Sequence, residues 1–409
     1  MNDVQARELA AAFDPEALGR EFYEDPYPTY CALREFDPVH RCPDGSFFLT
    51  RYAHLDRIYR DRDNYSSDKK AAFGPKFGIG TPLYQHHTTS LVFNDAPYHT
   101  RVRRSIVSAL SPSVLLALAP RISGLVDGLL DRIEGLQRFD LIADYAAAIP
   151  VEVIGNLLGL PHEDRGSLRH WSLAILGALE PRLTAGQQAA GDAAVRDFSV
   201  YLDAHIRERR RRSPGDTDLL DRLLQERQLS EAELIQNCIF LLNAGHETTT
   251  NLIGNGLHLL LSTGCLTRLR EQPQLIGSTV EECLRYESSN QLGNRLVVRP
   301  VNLEGVELAP GAYLTLCIGA ANRDPAAFNE PERFDMTRNP NRHLAFGAGG
   351  HACAGMSVAR LEAQIAILKM AQRFPELRLD GAAERAGRAR FRGFRSLPAV
   401  TGAGTFRPG

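Results

Sequence analysis

What this 409-residue sequence lacks narrows it first. Its seven cysteines, at 31, 42, 238, 265, 283, 317 and 353, show no C-x-x-C spacing, which fits reduced thiols rather than a disulfide frame or zinc site. Met1 to Arg20 has acidic residues and a short alanine run but no long apolar core. Neither a secretory signal nor a membrane anchor is therefore expected, and a cytoplasmic location is. No Gly/Ser- or Pro-rich linker and no repeat period divides the chain, so residues 1–409 are expected to form one unit. Neither charge is in excess: 47 Lys+Arg face 49 Asp+Glu, which argues against a nucleic-acid binder. The one basic run, Arg207 to Arg212 broken by Glu208, reads as a solvated helix end rather than a docking site. What is present in bulk, 44% hydrophobic residues, suffices for a large core.

Pro28 to Glu35 has a helical pattern and Ser46 to Thr50 is β-like, so about 26–65 reads as a small mixed edge. Ser66 to Asn94 has little periodicity and reads as a long mobile loop, its His86-His87 pair as loop polarity. His99 and Arg103 are four apart after Pro97, hence on one helical face; that face either grips an anion or meets solvent. From Ser111 to about Gln228 helical patterns dominate, broken at Pro150, Pro161, Pro181 and Pro214.

A long apolar helix is expected over Glu231 to Ser262, with Ala244-Gly245-His246-Glu247-Thr248-Thr249-Thr250 in its middle. Such a polar, β-branched run is costly there and predicts a gap or kink. Glu247 beside Thr248 is either an acid–alcohol pair able to move protons or a solvated glutamate at that kink. Glu282 and Arg285 are three apart on the next helix, as a surface pair or a buried clamp. Arg295 to Ile318 turns to short strands, giving with 26–65 and a C-terminal turn a smaller β-rich portion in a mainly α fold with small sheets.

Near the C-terminus, Phe346-Gly347-Ala348-Gly349-Gly350-His351-Ala352-Cys353-Ala354-Gly355 precedes apolar positions Val358, Leu361, Ile365 and Leu368 at helical spacing. Cys353 is thus placed near a helix N-terminus, where free N–H groups favour a thiolate, among glycines that would let a flat cofactor approach. The G-x-G-x-x-A spelling of 347–352 also fits a nucleotide fingerprint, but no buried strand precedes it. The loop alone leaves a thiolate ligand to haem iron and an inert buried cysteine both open.

Taken in order, the Glu247-Thr248 helix, Glu282-x-x-Arg285, Pro331-Glu332-Arg333-Phe334 and Phe346-x-x-Gly349-x-His351-x-Cys353-x-Gly355 resemble the cytochrome P450 family over about residues 20 to 400. The resemblance implies the P450 fold, its long distal helix lying over haem b, and a haem-thiolate monooxygenase. Cys353 would be the axial ligand to iron. Phe346, Gly347, His351, Gly355 and Ala244 would contact the haem, and His99, Arg103, Arg295 and His343 its propionates. Thr248 and Glu247 would deliver protons, and Glu282, Arg285 and Arg333 would form a structural triad.

By the same analogy Leu242, Asn243, Asn290, Gln291, Leu292 and Phe394 would line a pocket for a small organic substrate, with second-sphere packing as the alternative. The resemblance also implies O2 and electrons from NAD(P)H through a separate ferredoxin-type donor and reductase, since the chain leaves no length for a fused one. Arg104 and Arg360 are candidate contacts with that donor. A haem sensor or carrier without turnover and a peroxide-driven enzyme are the alternative functions.

Overall fold

The structure, a computed structural model, describes residues 2–110, 112–211 and 218–402. Ser111, Arg212 and Pro214 lie outside the described residues.

The helix Glu231–Ser262 is the axis of the fold: 32 residues, about 48 Å long at 1.5 Å per residue. Ser230 starts it with a capping box, its hydroxyl accepting from the Glu233 N–H while the Glu233 carboxylate accepts from the Ser230 N–H. Leu234, Cys238, Leu242, Leu252, Ile253 and Leu257 are buried on different sides, as expected of a helix that is core all round. Helices Ala148–Leu157, Arg165–Gly177, Ala185–Arg211 and Met356–Arg373 pack around it.

The expected gap at 244–250 is not there; the helix is continuous. The Thr248 and Thr250 hydroxyls donate to the Ala244 and His246 carbonyls, at 2.7 and 3.0 Å, so the polar run is accommodated by bonding back along the helix rather than by breaking it. Of the expected proline breaks, Pro150 lies in the first turn of Ala148–Leu157, where its missing N–H costs little.

Residues 66–94 are not a loop. They fold as helices Lys70–Phe77 and Pro82–Thr89, the second capped by Thr81 with proline at its first position. Phe73, Phe77 and Leu83 are buried, and Phe73 packs edge-on against Phe93. Two turns each, parted at Gly78, were too short to show a period.

The five-stranded sheet runs Val39–Arg41, Phe47–Leu49, Tyr313–Cys317, Leu292–Val297, Tyr65–Ser66 in spatial order. Only Phe47–Leu49 beside Tyr313–Cys317 is parallel. Near the C-terminus Pro398–Val400 pairs with Phe139–Asp140 and Arg378–Leu379. No helix among the described residues is long and apolar enough to cross a membrane.

Glu282 and Arg285 are fully buried on helix Ile276–Tyr286 and paired at 2.8 Å through two nitrogens. The third member of this cluster is Arg338, whose Nε lies 3.1 Å from Glu282. Arg333 supplies only its carbonyl, to Arg285 and Arg338, while its guanidinium pairs with Glu330 at the surface. Both arginines follow Pro331 in irregular chain, where no period says which side chain turns inward.

Arg338→Ala leaves a buried carboxylate under-compensated and should cost roughly 3–5 kcal/mol in chemical denaturation. Arg333→Ala should cost under about 0.5 kcal/mol. The reverse order would return the clamp to Arg333.

Candidate active site

The loop 344–355 is fixed largely by its own backbone. The Gly347 N–H donates to Leu344 O at 2.8 Å and the Cys353 N–H to Phe346 O at 2.9 Å, while Asn322 accepts from the Leu344 N–H at 2.7 Å. Gly349 has φ +66°, and a Cβ there would lie 2.4 Å from the Tyr59 carbonyl oxygen. This glycine serves the close approach of helix Tyr52–Arg60, not only access for a cofactor. Cys353 sits two residues before Gly355, the N-cap of helix Met356–Arg373. Burial pushes its thiol up, opposed by the Gly355 N–H and the Arg103 and Arg360 charges. The expected helix-terminus lowering is thus outweighed by burial.

Cys353 is partly exposed, and it lines an interior cavity of about 350 Å³. Phe346, Gly347, Ala352 and Gly355 line it beside the cysteine; Ala244, Gly245, Thr248 and Thr249 line it from the long helix. His99, Arg103, Arg295 and His351 line it too. The His99 and His351 rings stack at 3.8 Å, and His99 Nε2 is buried without a partner. Burial, then neighbouring cationic groups, pull His99 down to about 4 and His351 to about 2. Asp95, 4.0 Å from His351 Nε2, is a single carboxylate beside these nitrogen donors, which leaves His99 Nε2 unanswered.

His343 is not among them. Its ring bonds Glu281 at 3.1 Å and does not line the cavity. Glu281, against its burial, is held at about 2 by hydrogen bonds from Arg360 and His343. Arg360 is therefore committed to Glu281, at 2.6 Å, rather than free for a partner; Arg104 is exposed.

The acid–alcohol pair is divided. Thr248 lines the cavity, whereas Glu247 does not and is gripped by both its oxygens from Arg388, at 2.5 and 2.7 Å. Burial pushes the Glu247 carboxyl up to about 7 against the Arg388 charge.

Of the expected substrate residues, Asn243, Asn290 and Leu292 line the cavity. Leu242, Gln291 and Phe394 do not. Leu242 is fully buried elsewhere, the Gln291 amide donates to Ser288 O, and Phe394 packs on His258 and under the Arg385 guanidinium at 3.9 Å. Phe391 lines the cavity instead. His86, His87 and Arg390 also line it and were missed. The His86-His87 pair, set aside as loop polarity, lies buried on helix Pro82–Thr89 beside Leu83, an apolar neighbour that could have flagged it.

A flat cofactor bearing two carboxylates fits these residues. One soft ligand stands on the cavity wall, a Cβ at Gly355 would meet open space, and the unpartnered His99 nitrogen lies among cations suited to carboxylates.

A cytochrome P450 family model matches residues 183–380. The biotin biosynthesis cytochrome P450 of Bacillus subtilis is 36% identical over 382 residues, covering 88% of this chain and 91% of its own. The cytochrome P450 monooxygenase PikC of Streptomyces venezuelae is 35% identical, covering 90% and 88%. Among solved structures, P450BioI in complex with hexadec-9Z-enoic acid ligated acyl carrier protein superposes with a TM-score of 0.88 at 34% identity, over 94% of this chain and all of that one. CYP109E1 of Bacillus megaterium in complex with testosterone gives 0.85 at 30% identity, over 94% and 100%.

The raised Glu247 value means that protonation favours the folded state. This contribution is complete below the ordinary value of 4.5 and is lost as pH rises through about 7. The infrared carboxyl band of Glu247, identified by its loss in Glu247→Gln, should titrate near pH 7 and move higher in Arg388→Gln. An unmoved titration would show that Arg388 does not set it.

Proposed function

The chain belongs to the cytochrome P450 family, a haem b-dependent monooxygenase family, and from that premise we propose that it hydroxylates or dealkylates a small organic molecule in the cytoplasm. The single observation that carries the reading is one cavity lined by Cys353, by the Thr248 face of the long helix and by His99, Arg103, Arg295 and His351. Cys353 would ligate the iron, and the last four would hold the haem carboxylates. Bound there, the haem supplies activation of O2.

Thr248 is the cavity-side proton donor and acceptor: its hydroxyl proton is donated to Ala244 O at 2.7 Å while its lone pairs can accept from a ligand or water. Donating to the ligand exchanges that one side-chain bond while the main-chain ladder stays intact. Glu247 would refill it with protons from the far side of the helix, since a buried carboxyl near 7 can hold or release a proton at neutral pH. Arg388 orients that carboxylate and keeps it from the cavity. We assign electron delivery to a separate ferredoxin-type partner, with exposed Arg104 as a contact. The relatives' structures hold a carrier-bound fatty acid in one case and testosterone in another, so the fold by itself selects no substrate class.

Reduction under CO tests the ligand. Wild type should show the red-shifted Soret band of thiolate-bound haem, and Cys353→Ala should lose it; a band retained there would remove Cys353 as ligand. Thr248→Ala should keep the band while product formed per NAD(P)H consumed falls about tenfold or more. Unchanged coupling would refute the proton role of Thr248.

A further inference from the structure

Three arginines alternate along the irregular stretch 386–393, and two have carboxylate partners. Arg388 pairs with Glu247, and Arg392 with Glu287 at 2.6 Å. Arg390, between them, lines the cavity and has no carboxylate within ion-pair distance of its guanidinium among the described residues. Its Nε donates to Leu179 O at 3.1 Å and its Nη1 to Leu292 O at 2.6 Å. A guanidinium has five N–H donors, and these carbonyls together with the Tyr313 hydroxyl, which Arg390 also bonds, do not use them all. Glu180 is close by: one oxygen accepts from the N–H groups of Ala389 and Arg390, at 3.0 and 3.2 Å, and the other is buried without a hydrogen-bond partner.

Lys76 brings a further positive charge close by, which the Glu180 carboxylate partly offsets. Lys76 donates to Glu180 O at 2.8 Å, and after burial the Arg390 charge is the next cause pulling its ammonium down, to about 8. His87, buried on the cavity wall with Nε2 unpartnered, feels Lys76 and Arg390 as well. Asn290, whose backbone bridges to Phe391 next to Arg390, carries a side-chain oxygen without a partner. The rest of this region is apolar, with Phe93, Leu176, Leu179 and Phe391 on the wall. Arg390 is half-buried there, so an anion brought into the cavity can pair with it by charge-assisted hydrogen bonds.

We propose that the substrate is an organic acid, its carboxylate paired with Arg390 and its apolar body lying along Phe93, Leu176, Leu179 and Phe391 in the cavity that also contains Thr248. This rests on the monooxygenase reading, and it assigns the substrate class that reading leaves open. The carboxylates of the haem are the other source of the same chemistry at Arg390, and the test separates the two.

Haem-loaded protein whose CO-reduced band has been verified is titrated with straight-chain acids of ten to sixteen carbons, with arylalkanoic acids and with their methyl esters. Binding is read by the Soret spin shift and by calorimetry. Acids should bind about tenfold or more tighter than the matched esters. Arg390→Gln should abolish that preference by weakening acids alone, and Arg390→Lys should restore part of it.

Equal affinity for acid and ester in wild type, or no acid bound by either readout, overturns the proposal; this arm holds even where Arg390→Gln fails to fold. Arg390→Gln that weakens acid and ester alike, or releases haem, assigns the residue to a haem carboxylate and also overturns it. Absence of the CO band instead fails the haem-thiolate reading, so the two failures are distinct.

Discussion

The buried carboxylate of Glu282 is the constraint on which the rest of the structure depends. A charge so placed is costly unless every lone pair is answered, and here Arg285, Arg338, Asn341 and the Asp335 N–H all converge on it. Apart from Arg285, on the same helix as Glu282, these donors come from the meander between the sheet and the cysteine loop, which has almost no regular secondary structure of its own. Side-chain bonds to backbone do the work of a ladder there: Arg285 holds the carbonyls of Asn322, Pro331 and Arg333, and Asn322 holds Leu344 at the start of the loop. The position of Cys353 is thus set by a hydrogen-bond network some seventy residues upstream as much as by its own helix.

The cavity wall follows the opposite rule. In the clamp almost every polar atom is matched, whereas around the cavity His99 Nε2, His87 Nε2, Asn243, and one oxygen each of Asn290 and Glu362 have no protein partner. Buried polar groups in folded proteins are normally satisfied, so each of these cavity-facing atoms is one whose bonding a ligand can complete. The long helix joins the two regimes. It is apolar and tightly packed along its length, yet at 243–249 it presents an amide and hydroxyls to the cavity and sends Glu247 the other way to Arg388.

What the sequence made legible depended on local spacing. The cysteine loop, the acid–threonine run and Glu282-x-x-Arg285 are motifs within one turn or loop, and the alternation around 295–317 announced strands that the sheet contains. Where only tertiary contacts decide which way a side chain turns, spacing had nothing to say. Arg338 rather than Arg333 reaches Glu282, His343 turns to Glu281, and Phe391 rather than Phe394 faces the cavity. Arg388 and Arg390 meet partners 141 and 211 residues away, contacts that only the tertiary fold creates. The helices of 70–89 escaped because each is two turns long, and the expected gap at 244–250 overlooked that threonine can satisfy its hydroxyl on its own helix.

Asn243 carries a consequence for discrimination. Its amide is buried, lines the cavity and has neither its donor nor its acceptor matched by the protein. An apolar group seated against it strips the amide of water and returns nothing, a loss of about 1–3 kcal/mol for each group left unmatched. A hydroxyl or carbonyl in the same place meets no such loss. Selection among molecules of similar size and greasiness can therefore act through exclusion: the wall sorts its guests by what it refuses to have pressed against one amide.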